Sequence, residues 1–335
     1  MRGCRRCSRA PHPALRATLS PLAQGEGFLG RPHVVNSIGT PGTPWGFEEK
    51  LQWRRTQPAR RSYAVDVLSV LERLETHFER IEYGRLDYAP DGSYPLFALK
   101  SRAWNDALPI GLVTGGVHGY ETSGVFGALR FAERDAAGFA GRLNLLIAPC
   151  VSPWAYERIH RWNPDAVDPN RSFKPDGAAL EARLLMAFVA PYRGRFLAHL
   201  DLHETTDSDE TEFRPALSAR DGKHFEPGEI PDGFYLVDDA ENRQPEFQKA
   251  IIDAVSKVTH IAAPDAKGRL IDEPMLSPGV IEYAVRSLGL CAGLTGARFT
   301  TTTEVYPDSP RTTPAQCNEA QATAVRAGFE FALEG

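Results

Sequence analysis

Leu108-Pro-Ile-Gly-Leu-Val-Thr-Gly-Gly116, continuing as Val117-His118-Gly119-Tyr120-Glu121, is the stretch on which the fold turns. Its first half is a short, uninterrupted apolar run bounded by Pro and Gly, the pattern of a strand buried on both faces. From Thr122 to Glu133 the apolar residues recur at helical spacing, so a helix follows the strand directly. A buried strand that runs into a helix is the first half of a parallel βα unit. In such sheets ligands gather at the carboxyl ends of strands, which is where His118 and Glu121 stand.

Working outward, the same alternation recurs. Strands are predicted at Leu143 to Ala148, Phe196 to Leu202, Phe234 to Val237 and between Leu290 and Glu304. Helices are predicted at Ala178 to Val189, Pro245 to Val258 and Pro314 to Ala332. Upstream, Val65 to Leu74 has an amphipathic helical spacing. Two β-prone runs, Phe78 to Tyr88 and Tyr94 to Ser101, flank the turn chemistry of Ala89-Pro-Asp-Gly-Ser93 and form a hairpin at a sheet edge. The expected fold class is α/β: one domain over residues 63–335 with a central mixed, mostly parallel twisted sheet flanked by helices. Residues 1–62, rich in Arg, Pro, Gly and Ser, show no core-forming period. They are expected to be a disordered or non-native N-terminal extension, either a basic targeting arm or an inert tail, whose removal leaves activity intact.

Composition narrows the function classes. The 43 acidic and 38 basic residues give a net charge of −5 and are mixed along the chain, so no basic field points to nucleic acid. No run of 18 apolar residues occurs, and no compact apolar segment opens the chain, so neither a membrane partner nor a leader is expected and a cytoplasmic location is. Five scattered cysteines do not make a disulfide framework. Cys4 and Cys7 form a CxxC pair, but no second pair stands at zinc-ribbon spacing.

Three further segments carry chemistry. His118 and Glu121, three residues apart on one turn, can converge on a single ion, imidazole supplying nitrogen and carboxylate oxygen. His203 ends the alternating run Ala198-His-Leu-Asp-Leu-His203 and can face the same sheet edge, whereas His199 lies deeper on the same side. Between them lies Arg161-Trp-Asn-Pro-Asp-Ala-Val-Asp168-Pro-Asn170-Arg171-Ser-Phe173, and later Phe299-Thr-Thr-Thr-Thr-Glu304 places a carboxylate on a β-prone run. There is no zincin HExxH helix and no GxSxG, and Gly115-Gly116-Val-His-Gly119 lacks the GxGxxG spacing.

Over roughly residues 110–305 these motifs, in this order, resemble the zinc metallocarboxypeptidase family and its relatives, the succinylglutamate desuccinylase and aspartoacylase type of deacylase. The family pattern is HxxE, then R-x-N-x-x-G-V-D-x-N-R-x-F, then a strand-end His, then a Glu on a late strand. The resemblance implies one Zn²⁺ held by His118, Glu121 and His203, with Glu304 as general base and Arg161 as oxyanion stabiliser. It further implies Asp168 orienting His118, Asn170 and Arg171 gripping a substrate carboxylate, and Tyr283 or its rival Tyr306 as the mobile substrate-capping tyrosine. The substrate would be a small peptide cleaved at its C-terminal residue. The alternatives are an N-acyl amino acid or a non-catalytic zinc-binding relative. The Arg161 to Asn170 loop and the long insert from Asp207 to Gly233 favour the peptidase, and retention of Glu304 and Arg161 speaks against mere metal storage. Ala166 and Pro169 depart from the family's Gly and aliphatic residue, which implies a changed backbone path in that loop.

Overall fold

A computed structural model describes residues 38–335. Eight strands form the main sheet: β1 (Phe78–Asp87), β2 (Ser93–Ser101), β3 (Ile110–Gly115), β4 (Asn144–Ala148), β5 (Phe196–Glu204), β6 (Tyr235–Asp239), and later β9 (Val280–Tyr283) and β10 (Phe299–Val305). A separate two-residue pair, β7 (Arg269–Leu270) and β8 (Glu273–Pro274), lies outside it. The sheet order is β1-β2-β4-β3-β5-β10-β6-β9. The four central strands β4, β3, β5 and β10 are parallel neighbours, while the β1/β2 hairpin and the β10/β6 pair are antiparallel. The expected single α/β domain with a mixed, mostly parallel sheet is therefore observed.

The helices are α1 (Phe47–Arg55), α2 (Ser69–Leu74), α3 (Thr122–Arg134), α4 (Pro153–Arg158), α5 (Leu180–Val189), α6 (Arg214–Arg220), α7 (Pro245–Val255) and α8 (Pro314–Glu334). Alternate residues of the central strands feed two separate cores. Val113, Leu145, Ile147, Ala198, Leu200 and Leu202 join the apolar faces of α3, α7 and α8, whereas Leu112, Leu146 and Ala148 join Ala182, Leu185 and Val189 of α5. Every residue of β3 and β4 is buried, as parallel strands covered on both faces require. Helix α3 lies so close to the sheet that a Cβ at Gly124 would stand 2.3 Å from the Leu202 carbonyl oxygen. Helix α8 starts with Thr313 accepting a hydrogen bond from the Gln316 N–H and with Pro314 in the first turn, a combination suited to a helix N-terminus.

The N-terminal expectation needs correction. The stretch 1–37 lies outside the described residues, Cys4 and Cys7 included, but residues 38–62 are not a disordered extension. Helix α1 and its flanks insert Trp45 and Trp53 into the main core, where Trp53 packs against Trp154, Trp162 and His160 with ring centroids 6.2, 5.5 and 4.7 Å away. Arg54 bonds Asp91 at 2.8 Å and the Tyr88 carbonyl at 2.7 Å, tying α1 to the hairpin turn. The segment shows no helical period because only Trp53 of the nine α1 residues is buried. Two large aromatic anchors hold it, not an apolar stripe.

Trp53→Ala is expected to lower stability by about 3–5 kcal/mol, the cost of an unfilled aromatic site, measured by urea unfolding. The same aromatic cluster holds His160, whose pKa burial, with help from Arg161, pulls down to about 3. A histidine depressed below its unfolded value binds fewer protons when folded, so its neutral burial disfavours folding as pH falls from about 6.5 towards 3. His160→Asn, which keeps an acceptor for the Trp162 N–H now 3.2 Å from Nδ1, is expected to flatten the stability profile across that window while leaving neutral pH unaffected.

Candidate metal centre

The site stands at the carboxyl ends of β3, β5 and β10. Parallel pairing sets Gly115 against Leu202 and His203 against Glu304, so the turn after β3, the end of β5 and the end of β10 meet at one edge. On β5, residues 199, 201 and 203 share the face opposite Leu200 and Leu202, as the two-residue period of a strand demands.

His118, Glu121 and His203 are all buried, and one ligand atom from each lies within 4.8 Å of the others. His118 Nδ1 lies 2.7 Å from Glu121 Oε1, and His203 Nδ1 lies 2.8 Å from Glu121 Oε2. Both imidazoles thus turn the same nitrogen inward. Glu121 Oε2, although so near His203, has no well-formed hydrogen bond and is an orphaned buried oxygen. Burial works against a charged Glu121, but His118 and His203 outweigh it and hold its pKa at about 2. Burial likewise works against a charged His203, and Glu121 and Asp201 outweigh it, raising the imidazole well above its ordinary range. Carboxylates on both sides of two imidazoles make a pocket that favours positive charge. The geometry and the orphaned oxygen therefore fit a metal cation coordinated by two Nδ1 atoms and Glu121.

The outer nitrogens are held by carboxylates. His118 Nε2 lies 3.0 Å from Asp168, as the motif implied, and His203 Nε2 lies 2.7 Å from Asp201, a partner that sequence reading missed. Its signal was present in the strand period: Asp201 is two residues from His203 and so shares its face. Asp201 is in turn held by the Thr114 hydroxyl at 2.6 Å, which also lies 3.0 Å from His199 Nε2 and 3.5 Å from Cys291 Sγ. His199, Asp201 and Cys291 form a second cluster of metal-ligating types, but the Thr114 hydroxyl sits among them within 2.6–3.5 Å of one atom of each.

Glu304 is flanked by Thr205, whose hydroxyl donates at 3.0 Å, and burial pushes its pKa up to about 8, with His203 pulling the other way. Arg161 is clamped by Asp168 at 3.1 Å, by the Tyr120 hydroxyl at 3.2 Å and by Asp209 at 3.5 Å. Tyr120 and Asp209, both buried, are further site residues that no motif marked. Asn170 has its side-chain oxygen taken by the Cys291 N–H at 2.7 Å, while its Nδ2 lies 3.5 Å from His203 Nε2. Arg171 donates to the Asn170 carbonyl at 2.7 Å and is exposed. A cavity of about 760 Å³ gathers His118, His203, Glu304, Arg161, Arg171 and Tyr283 on its walls. Tyr306 does not line it; its hydroxyl donates to Asp207 at 2.6 Å on the exposed side. Tyr235, paired with Glu304 across the β6/β10 ladder and bonded to Thr205 at 2.7 Å, does line it.

The loop bearing the arginines keeps a glycine-like path despite Ala166. That residue sits at φ +56°, a left-handed conformation that costs an L-residue about 1–2 kcal/mol. Arg220 holds its carbonyl at 2.8 Å. Pro169 opens a tight turn, Pro169–Arg171, capped by the Asp168 side chain.

Residues 108–225 match the family model of the succinylglutamate desuccinylase/aspartoacylase catalytic domain. The fold resembles those of solved metallopeptidases and carboxypeptidases. A proposed metallopeptidase from Shewanella amazonensis superposes with a TM-score of 0.61 at 21% identity, over 82% of this chain and 98% of its own. A metallo-carboxypeptidase from Pseudomonas aeruginosa, in complex with (2-guanidinoethylmercapto)succinic acid, superposes with a TM-score of 0.53 at 14% identity, over 79% of this chain and 68% of its own. Carboxypeptidase A from Helicoverpa armigera gives 0.52 at 12% identity, over 83% and 75%. No curated protein matches the chain by sequence.

Asp201→Asn keeps the size of the group that holds His203 but removes its charge. It is expected to weaken metal affinity roughly 10–100-fold with the fold intact, read by competition with a chromophoric chelator alongside circular dichroism.

Proposed function

We propose that the protein is a zinc-dependent amide hydrolase that removes the C-terminal residue from small peptides, with the metal held by His118, Glu121 and His203. The observation that carries this reading is the convergence of those three ligands beside one cavity, lined by His118 and His203, that also holds Glu304, Arg161 and Arg171. A zinc-storage site needs only the ligands. The extra carboxylate and guanidinium groups at the same cavity are what a hydrolase requires.

Zinc bound there supplies Lewis acidity, making water easier to deprotonate and the scissile carbonyl easier to attack. Glu304 takes the proton from the attacking water and passes it to the leaving nitrogen. The neighbourhood of a dication favours its ionised form against the burial that otherwise pushes it up to about 8. Arg161, oriented by Asp168, Tyr120 and Asp209, presents its guanidinium to the oxyanion that develops. Arg171 holds the free carboxylate of the substrate, a planar target for a planar donor, with Asn170 Nδ2 beside it. Tyr283, at the end of β9 on the cavity wall, caps the bound substrate.

A second reading has a specific observation behind it. The family model matched by residues 108–225 is that of deacylases, so the bond cleaved would instead join an acyl group to an amino acid. Both substrates present an amide beside a free carboxylate and make the same demands on these side chains.

Metal analysis of wild type, His203→Ala and Glu304→Gln, run with hydrolysis of blocked dipeptides and N-acyl amino acids, tests the proposal. About one zinc per wild-type chain is expected, lost in His203→Ala. Glu304→Gln is expected to keep the zinc and lose activity by about 10²–10⁴-fold. The preferred substrate set separates peptidase from deacylase, and wild type without zinc under replete conditions overturns the reading.

A further inference from the structure

Arg61, inside the segment whose sequence suggested an inert tail, reaches the metal turn from behind. Its Nε donates to the Tyr156 carbonyl at 2.6 Å, its Nη1 to the Thr122 hydroxyl at 2.8 Å, and its Nη2 to the Gly119 carbonyl. Its guanidinium carbon lies 3.8 Å from the centroid of the Tyr156 ring. Gly119 follows the ligand His118 and Thr122 follows the ligand Glu121, so one rigid, planar group bridges the residues that succeed both ligands of the turn. Within the turn itself the backbone bond from the Glu121 N–H to the His118 carbonyl is long, 3.4 Å, and the Tyr120 N–H reaches outside the turn to the His160 carbonyl at 3.1 Å.

The other anchor of this clamp is α4. The N–H groups of Arg60 and Arg61 both donate to the Glu157 carbonyl, at 2.7 and 3.2 Å, and the Tyr63 N–H donates to the Glu157 side chain at 3.0 Å. Gly119 is pressed against the same helix, since a Cβ there would stand 2.0 Å from the Ala155 carbonyl carbon. Arg61 forms no ion pair with a described residue at 4 Å or less. It also places positive charge at the N-terminus of α3, where the helix dipole disfavours it. Glu204, which accepts from the Thr122 and Ser123 N–H groups at 3.0 and 2.6 Å, supplies the opposite charge from the β5 side. A cation placed against the helix dipole does not serve α3; what it gains is three acceptors, two of them on the metal turn.

We propose that Arg61 is a positioning residue for the metal centre, fixing the separation of His118 and Glu121 so that both ligand atoms meet His203. This rests on the metal-binding reading of the triad. It makes the segment before residue 64 part of the working site, not a dispensable tail.

The test uses full-length protein and metal alone. Zinc affinity is measured by chelator competition, and the visible spectrum of the cobalt(II)-substituted protein is recorded, for wild type, R61M, R61K and Tyr63→Phe. Tyr63→Phe removes a partly buried bond from the same strap, the 3.0 Å contact to the Pro95 carbonyl, without touching the turn. R61M is expected to lose roughly 10–100-fold in zinc affinity and to shift the cobalt spectrum, with R61K intermediate. Tyr63→Phe is expected to lower the thermal midpoint and leave both metal readouts at wild-type values. Wild-type affinity and spectrum in R61M, or in R61K should R61M not fold, overturn the inference alone, as does an equal loss in Tyr63→Phe. Absence of zinc from the wild type overturns the metal reading and this inference with it.

Discussion

The side-by-side parallel pairing of β3 and β5 is the constraint on which the site depends. Because Gly115 stands against Leu202, the turn after β3 and the last residues of β5 leave the sheet at one level, and His118 and Glu121 come to His203 without any long loop having to find its place. Parallel β10 extends the same level to Glu304. These four groups come from three chain segments spanning nearly two hundred residues. A one-residue slip of β5 would turn His203 to the opposite face, among the apolar partners of α3 and α8.

That level edge gathers charge that a folded chain does not tolerate alone. Glu121 and Asp201, both buried, and the partly buried Asp168 stand around two imidazoles, and burial by itself would push each carboxyl towards its neutral form. Their low pKa values come from the neighbouring imidazoles and, for Asp168, foremost from Arg161. The chain meets the demand in two layers. The histidines stand between carboxylates, and the carboxylates are held by Arg161, Thr114 and backbone N–H groups such as that of Asn170, 2.8 Å from Asp168. Asp168 and Asp201, engaged from several sides, are rigid supports, and rigidity of the supporting shell is what a metal site needs.

The resemblance and the geometry agree most closely where chemistry constrains residue type. The HxxE turn, the strand-end His203, Asp168 behind His118 and Glu304 on a late strand were all legible, because each occupies a place that strand and helix periods define. The strands and long helices were legible for the same reason: β3, β4, α3 and α8 bury continuous apolar faces. What was not legible lacked a period. Helix α1 is mostly polar, and two tryptophans hold it by packing with Trp154, Trp162 and His160, partners about a hundred residues away. Short β9, a four-residue strand at the sheet edge, offered too little pattern to read. Tyr120 and Asp209 gave no motif, since their part in the site is to hold Arg161 from another segment.

By itself the sequence determined the α/β class, the order of its main elements and the residue types able to hold a metal and move a proton, because these follow from local periodicity and from the chemistry of side chains at strand ends. Only the tertiary structure decided which imidazole nitrogens turn inward, that Asp201 stands behind His203, that Ala166 takes the conformation of a glycine, and that Tyr283 and not Tyr306 faces the cavity. It alone showed that Arg61 clasps the metal turn. Those facts are contacts between segments far apart in the chain, and no local pattern carries them because packing, not spacing, brings the partners together.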